Sequence, residues 1–376
     1  MSERSDLTTR REVLNRAGLA ATVGTAGLAG CSGDGEDGGG GGNGGDGGGD
    51  GGNDGDTDGG NEDTPTATPT AEELDITMAY VQSPESTLTQ TVASEFVDRV
   101  EEETDGRITI DLEAGTLGGS EDVLDATQSG TVDMVAESPE ATATRFAPEY
   151  TFAGDPFVVR DVEHYRNIEE EVLLTEDGMN GELVEQGLRM FEGYRWGNRG
   201  VTANKAVTSP EDVQGLQMRL PQFDSWVGVW EEIGVDATPV AFDELYSALE
   251  SGVAESSEGP ITQFMSTSLY EVQTHFSETN HLLSMHNFIM NEDFYQDLGG
   301  ENREYLEDAM STAADDITEA IRNEEENVYE AAQEEGTTIT RQDEIDRDAF
   351  VEAGQPYLET LAEESWAMSF EEIQEL

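Results

Sequence analysis

From residue 74 the hydrophobic period switches from two to roughly 3.6 and back again within forty residues. "LDITMAYV" alternates apolar Ile76, Met78 and Tyr80. "STLTQTVASEFVDRVEEETDG" then sets Leu88, Val92, Phe96 and Val100 on one helical stripe and stops at Gly106. "RITIDLEAG" alternates once more at Ile108, Ile110 and Leu112. A strand, a crossover helix and a second strand form a βαβ unit. Such a unit implies a parallel sheet, with sites beyond the carboxyl ends of its strands.

Two later stretches echo each other: "VLDATQSGTVDMVAES" (123–138) and "LYSALESGVAESSEG" (245–259). Each reads as an amphipathic helix, a Ser-Gly stop and a short strand ending near an acid, Glu137 in one and Glu258 in the other. Common helix-stop chemistry can produce the same echo. Taken at face value, it predicts two α/β lobes that each send a strand end toward a shared cleft. Residues 301–335 carry no proline and no internal glycine. With Tyr305, Met310, Ala313, Ile317 and Ile321 on one stripe, they predict a single helix long enough to span both lobes. "TTITRQ" predicts a short strand and "FVEAGQPYLETLAEESW" closing helices.

Ahead of this body, Arg10 and Arg11 precede a modest Gly/Ala-rich apolar run ending in Leu28-Ala29-Gly30-Cys31. The run is too short to cross a bilayer and reads as a signal peptide over residues 1–31. Paired arginines resemble the twin-arginine export signal, and Leu-Ala-Gly-Cys resembles a lipobox whose cysteine is lipidated. Cys31 is the only cysteine, so no disulfide within the chain is available. Residues 32–73 follow; of residues 32–71, seventeen are glycine and ten are acidic. They cannot bury apolar surface, and they predict a disordered tether.

Charge excludes several partners. The chain carries a formal net charge of −65 with a pI near 4.1. After residue 71 there are 70 acidic and 14 basic residues, so the excess belongs to the folded body. Such a surface repels nucleic acid and anionic membranes, and it suits concentrated salt, where its self-repulsion is screened. A halophile is the natural source. No Gly-x-Ser-x-Gly, His-Glu-x-x-His or phosphate-cradling glycine loop is present, which argues against an enzyme and against a cofactor. His281 and His286 lack a third ligand at metal spacing, so packing or capping is the expected role.

Against this background one stretch stands out: "EGYRWGNRGVTANKAVTSPEDVQGLQMRLP" (192–221) holds Arg195, Arg199, Lys205 and Arg219, and Lys205 is the sole lysine. An organic anion entering such an acidic protein needs fixed positive charge, and arginine grips a carboxylate through two parallel hydrogen bonds. An ion pair with a surface acid is the competing role for any one arginine. Trp196 and Trp226 flank the cluster as pocket walls or as core.

The order of "SPEDVQGLQMRLP", "IGVDATPVAFDELYSALESGVAESSEGP" and "YEVQTHFSETNH" resembles the solute-binding subunits of TRAP transporters, the DctP-like family. The resemblance runs over about 300 residues, from "DITMAYV" through "GTLGG", "GTVDMVAES" and "DPFVV" to the long helix. It implies a two-lobed periplasmic-binding-protein-like clamp in the α/β class. Lobe I would hold about 74–196 and 285–324, and lobe II about 197–284 and 325–376. The cleft would close on an organic acid and pass it to a separate TRAP membrane permease. The resemblance places the carboxylate-gripping arginine at Arg219, a second arginine at Arg199, an aromatic at Phe242 and an acid at Glu137. Gln82 and Glu258 join them as ligand-binding candidates. Many relatives have Glu-Asn-Pro where this chain has Glu258-Gly259-Pro260, so an amide is missing there. A receptor for an ATP-driven importer is the competing reading. The implied location is the outer face of the cytoplasmic membrane, held by lipid on Cys31. Arg195 and Lys205 match no ligand position and are expected to be surface charges, with Arg199 wetter than Arg219.

Overall fold

The computed structural model describes residues 73–376. Arg10, Arg11, Cys31 and the linker up to residue 72 lie outside the described residues. The described chain builds one mixed sheet from β1 (Leu74–Tyr80), β2 (Ile108–Ala114), β3 (Met134–Glu137), β4 (Leu188–Ala203), β5 (Gln217–Leu220), β6 (Asp236–Pro239), β7 (Ser256–Pro260), β8 (His275–Asn291) and β9 (Thr338–Thr340). Their order is β2-β1-β3-β8-β4-β7-β5-β6, with β9 beside β8.

The order is nearly symmetric about the β8–β4 pair. On one side β1 lies between β2 and β3 and runs parallel to both; on the other β5 lies between β6 and β7 and runs parallel to both. β3 pairs antiparallel with β8, and β7 pairs antiparallel with β4. β4 and β8, with 16 and 17 residues, form an antiparallel ribbon shared by both sides. The opening βαβ unit is present as read, with Leu88, Val92, Phe96 and Val100 each nearly inaccessible. Gly106 ends its helix at φ +76°, a left-handed conformation that costs glycine little, and donates to Glu101 O at 2.8 Å.

The echo of the sequence is an echo in space. Helix Ser120–Gln128 leads into β3 and helix Leu245–Ser251 into β7, and each strand borders the shared ribbon. The long helix runs Gly300–Glu334. Its Leu306, Met310, Ala313, Ile317 and Ile321 pack into a core with Ile76, Met78, Phe96 and Phe288. Its Val328, Tyr329 and Ala332 pack into a second core with Leu245, Leu249, Phe264 and Phe276. The six residues between, Arg322–Asn327, include none that is buried. Helix Arg347–Glu364 covers helix Asp224–Ile233, and the last helix, Phe370–Glu375, returns to the 158–167 stretch, where Ile373 O meets His164 Nε2 at 2.8 Å. No helix among the described residues is long and apolar enough to cross a membrane.

Candidate functional site

Register locates the site before any side chain is considered. Along the ribbon, Gly193 faces Asn287, Arg195 faces Met285, Gly197 faces Ser284 and Arg199 faces Leu282. β3 meets the ribbon with its last residue, Glu137, at Asn287; β7 meets it with its last residue, Pro260, at Arg199. The carboxyl ends of the two parallel sets therefore converge on the ribbon from opposite directions, at residues 193–199. That is where open α/β sheets bind ligands.

The same span is irregular. Register shifts fall at Met190/Gly193, Arg195/Gly197 and Arg199/Val201. On the β8 side the last shift loops out Glu278–His281. Glu278 accepts from Arg341 and from Gln342 N, and Asn280 O accepts from Arg347. His281, fully buried, meets Thr279 Oγ1 through Nδ1 at 2.8 Å and Glu258 Oε2 through Nε2 at 3.2 Å. Burial pulls the imidazole below its ordinary pKa. A neutral ring that donates from Nε2 to Glu258 and accepts from the Thr279 hydroxyl satisfies both contacts.

Glu258 and Arg199 form a forked pair. Arg199 Nε donates to Oε2 at 2.5 Å and Nη2 to Oε1 at 2.7 Å, while Nη1 reaches Ser284 Oγ at 3.4 Å. Burial alone would push the Glu258 carboxyl up; the Arg199 guanidinium and the His281 N–H outweigh it and hold the group at about 2. The guanidinium carbon lies 4.9 Å from the Trp226 ring centroid and 5.9 Å from that of Trp196. Trp226 Nε1 donates to Gly154 O, and Trp196 stacks on His286 with 4.9 Å between centroids. Burial, then the Arg199 charge, lower His286 to about 3, so the stacked imidazole is neutral. Both tryptophans are buried and pack around the Arg199 guanidinium.

Arg219, on β5, has a different situation. It is 2% exposed, and its one hydrogen bond runs from Nε to Val240 O at 2.9 Å. Its two terminal nitrogens have no partner among the described residues. Burial draws its pKa down to about 10; the Glu258 charge opposes the fall and the nearby Arg199 charge adds to it. A buried guanidinium with an open fork stands out in a chain with 70 acids after residue 71, because a buried charge is costly unless something pairs it.

The remaining candidates divide. Glu137 is buried at the end of β3; Oε1 accepts from Ser138 N at 2.7 Å, and Oε2 has no hydrogen-bond partner. Burial raises its pKa, and the neighbouring hydroxyls of Ser120 and Ser138 only soften the rise. Gln82, just past β1, is buried with no partner on its side-chain amide. Phe242 is half-buried in the turn Phe242–Glu244, packed against the core of Leu245 and Phe264. It stands two residues beyond the carbonyl that holds Arg219.

Arg199 is more exposed than Arg219, as expected, at 8% against 2%, although the Glu258 fork and the tryptophans enclose it. One expectation is corrected. Arg195 is not a surface charge: it is 5% exposed, pairs with Glu325 of the long helix at 2.8 Å and donates its backbone N–H to Thr318 Oγ1. Lys205 is exposed, as expected.

Sequence reasoning missed three groups. His281 is visible in the sequence, but nothing there signals that β8 loops out to carry it to Glu258. Gln263 is buried, and its amide has no partner; a Cβ on Gly259 would lie 2.9 Å from its Nε2. The glutamine amide therefore fills the space that a side chain at 259 would need. Third, Ser225 Oγ lies 3.1 Å from Glu140 Oε1 and 2.5 Å from Asp155 Oδ1, and the other oxygen of each buried acid has no partner. Thr144 Oγ1 also donates to Glu140 Oε1, so two hydroxyls serve two buried acids with no cation among their hydrogen-bond partners. Burial and mutual repulsion put Glu140 well above the usual carboxylate range, and burial raises Asp155 to about 7.

The family model for bacterial extracellular solute-binding protein, family 7 (DctP), matches residues 78–365. The chain belongs to that family. It is a family of binding receptors, not enzymes. The chain is 28% identical over 263 residues to the ectoine-binding periplasmic protein of Halomonas elongata, covering 69% of this chain and 76% of that one. Among solved structures it resembles a TRAP periplasmic solute-binding protein of Polaromonas sp. JS666 bound to D-erythronate, at TM-score 0.70 and 25% identity, covering 80% of this chain and 98% of the other. A TRAP receptor of Roseobacter denitrificans with bound L-galactonate has the same fold at TM-score 0.67 and 23% identity, covering 77% and 95%. The two-lobed α/β fold read from the sequence is the fold of these receptors.

Proposed function

We propose that this DctP-family receptor captures an organic acid in the cleft where the two parallel strand sets converge, and delivers it to a TRAP-type permease. The open fork of buried Arg219 carries the reading: the cleft holds a fixed cation that no side chain neutralises by contact. Relatives that hold D-erythronate and L-galactonate, both carboxylates, support an acid ligand and favour TRAP over an ATP-driven importer. Lobe I then comprises about 74–196 and 285–324 and lobe II about 197–284 and 325–376, with the last helix crossing back. The division of the long helix between two cores supports that partition. Gln82, Glu137, Trp196 and Trp226 line the cleft, and Arg199 with Glu258 forms its charged floor.

Arg219→Ala leaves the ligand anion buried without a partner, at about 3–5 kcal/mol, or more than a hundredfold in affinity. Arg219→Lys, which keeps the charge and loses the fork, rescues part of it. Calorimetry in high salt against the acid that co-purifies with the wild type measures both. A folded Arg219→Ala that binds as tightly as wild type ends the assignment.

The receptor is exported through Arg10 and Arg11 by the twin-arginine route and held by lipid on Cys31 at the outer face of a haloarchaeal membrane. The acidity of the body and the glycine-rich tether support this placement. Cys31→Ser releases the protein to the medium or leaves precursor; a variant as membrane-bound as wild type argues against the anchor.

A further inference from the structure

Three arginines lie near the convergence of the strand sets, Arg195 and Arg199 on the ribbon and Arg219 on β5, one strand beyond β7, and two are already paired with acids. Arg195 is paired with Glu325, and Arg199 is forked by Glu258. His281 and His286, the two imidazoles at the same place, are buried and packed on aromatic rings rather than turned toward a second anion. That leaves one unpaired cation, Arg219.

Arg195 Nη1 is buried without a hydrogen-bond partner, but its guanidinium is already paired with Glu325. Gln82 and Gln263 are buried residues whose side-chain amides bond no other described residue, and Glu137 offers Oε2. Gln82 and Glu137 lie at or just past the carboxyl ends of β1 and β3, and Gln263 lies beside Gly259 of β7. An anion brought to an uncharged amide or to a second carboxyl gains no ion pair and loses its water. A hydroxyl or an amine brought there gains hydrogen bonds to groups that otherwise have none.

We infer that the cleft is built for a monocarboxylate carrying hydroxyl or amine donors, and that it selects against dianions because Glu258 has consumed the charge of Arg199. The inference rests on the acid-receptor reading above and names the class of acid. His281 is a positioning residue in this scheme: its Nε2 reaches Oε2 of Glu258, the same oxygen that accepts from Arg199 Nε.

Matched pairs of acids test it. D-Gluconate and D-glucarate share a skeleton and differ by one carboxylate; D-glycerate and sn-glycerol 3-phosphate differ by a monoanion against a dianion. Calorimetry on the full folded receptor in high salt is expected to show the monoanion at least tenfold tighter in any pair that binds. Glu258→Gln returns the charge of Arg199 to the cleft and is expected to shift the ratio tenfold or more toward the dianion. A dianion that binds wild type as well as its partner overturns the inference and leaves the receptor reading intact. So does a folded Glu258→Gln with an unchanged ratio. The wild-type pairs decide by themselves if that variant does not fold. If no acid of either charge binds, the receptor reading falls, and this inference falls with it.

Discussion

Glu137 and Glu258 lie on the corresponding strands of the two halves of the sheet, the ones that border the shared ribbon, Glu137 as the last residue of β3 and Glu258 two residues before the end of β7. Both are buried. Their chemistry is opposite. Glu258, gripped by Arg199 and His281, is held at about 2, while Glu137, with no cation beside it, is pushed above its ordinary value by burial. Topology delivered two buried acids, and one arginine on β4 made one a fixed anion and left the other a hydrogen-bonding group. Sheet position fixes where a side chain points; only its partner fixes its charge.

Glutamine at either position tests that contrast. Glu258→Gln strips the counter-charge from buried Arg199 and is expected to lose about 3–5 kcal/mol of stability, read by denaturant unfolding in high salt. A loss below 1 kcal/mol would mean that water already shields the pair. The acid limb carries the same signature. A carboxyl whose folded pKa is lowered stabilises the protein above its ordinary value, here 4.5, and loses that contribution as pH falls through about 2.

The Glu140–Asp155 pair sharpens the comparison from the other side of the pH scale. Glu140 and Asp155 come from the segment 139–155 and Ser225 from the helix packed against the closing helix, so the pair stitches these segments together. Thr144, Thr151 and Tyr357 also face it, and no basic group does. Its folded pKa is raised, so its contribution is complete below the ordinary value of 3.8 and is lost as pH rises through about 7. Every tenfold gain in proton affinity on folding contributes about 1.4 kcal/mol. Thermal melts from acid to alkaline pH are expected to show this decline in wild type, and Asp155→Asn should flatten it. An unchanged slope in the variant would place the titration elsewhere.

The smallest effect belongs to Glu137→Gln. It removes an ionisable group that burial already disfavours, so stability near neutral pH is expected to hold or rise by about 1 kcal/mol. A loss as large as that of Glu258→Gln would erase the distinction between the two halves.

Much of this was legible beforehand, and the boundary has a physical reason. The βαβ start, the paired helix–strand units and the long helix follow from apolar periodicity, a local property of the chain. Arg219 stood out because positive charge is so scarce. The partners did not: that Glu258 grips Arg199 depends on which residues of β7 and β4 face each other, a long-range register in which Glu258 lies opposite Val201 and Pro260 opposite Arg199. The looped-out Glu278–His281 reads in sequence as part of a continuous strand. Arg195 looked like any other charge in a solvated stretch until Glu325 arrived from a helix 130 residues away.

The long helix carries a mechanical consequence. One end is cemented into the first core through Ile321 and the other into the second from Val328 onward. Rotation of one lobe against the other therefore cannot spread along all 35 residues. Such a rotation would bend the helix at Arg322–Asn327, fewer than two turns at about 3.6 residues each, where no residue is fully buried. Those six residues form the flexure of a stiff beam, and Arg195, bonded to Glu325 inside it, clamps that flexure to the strand that bends with it.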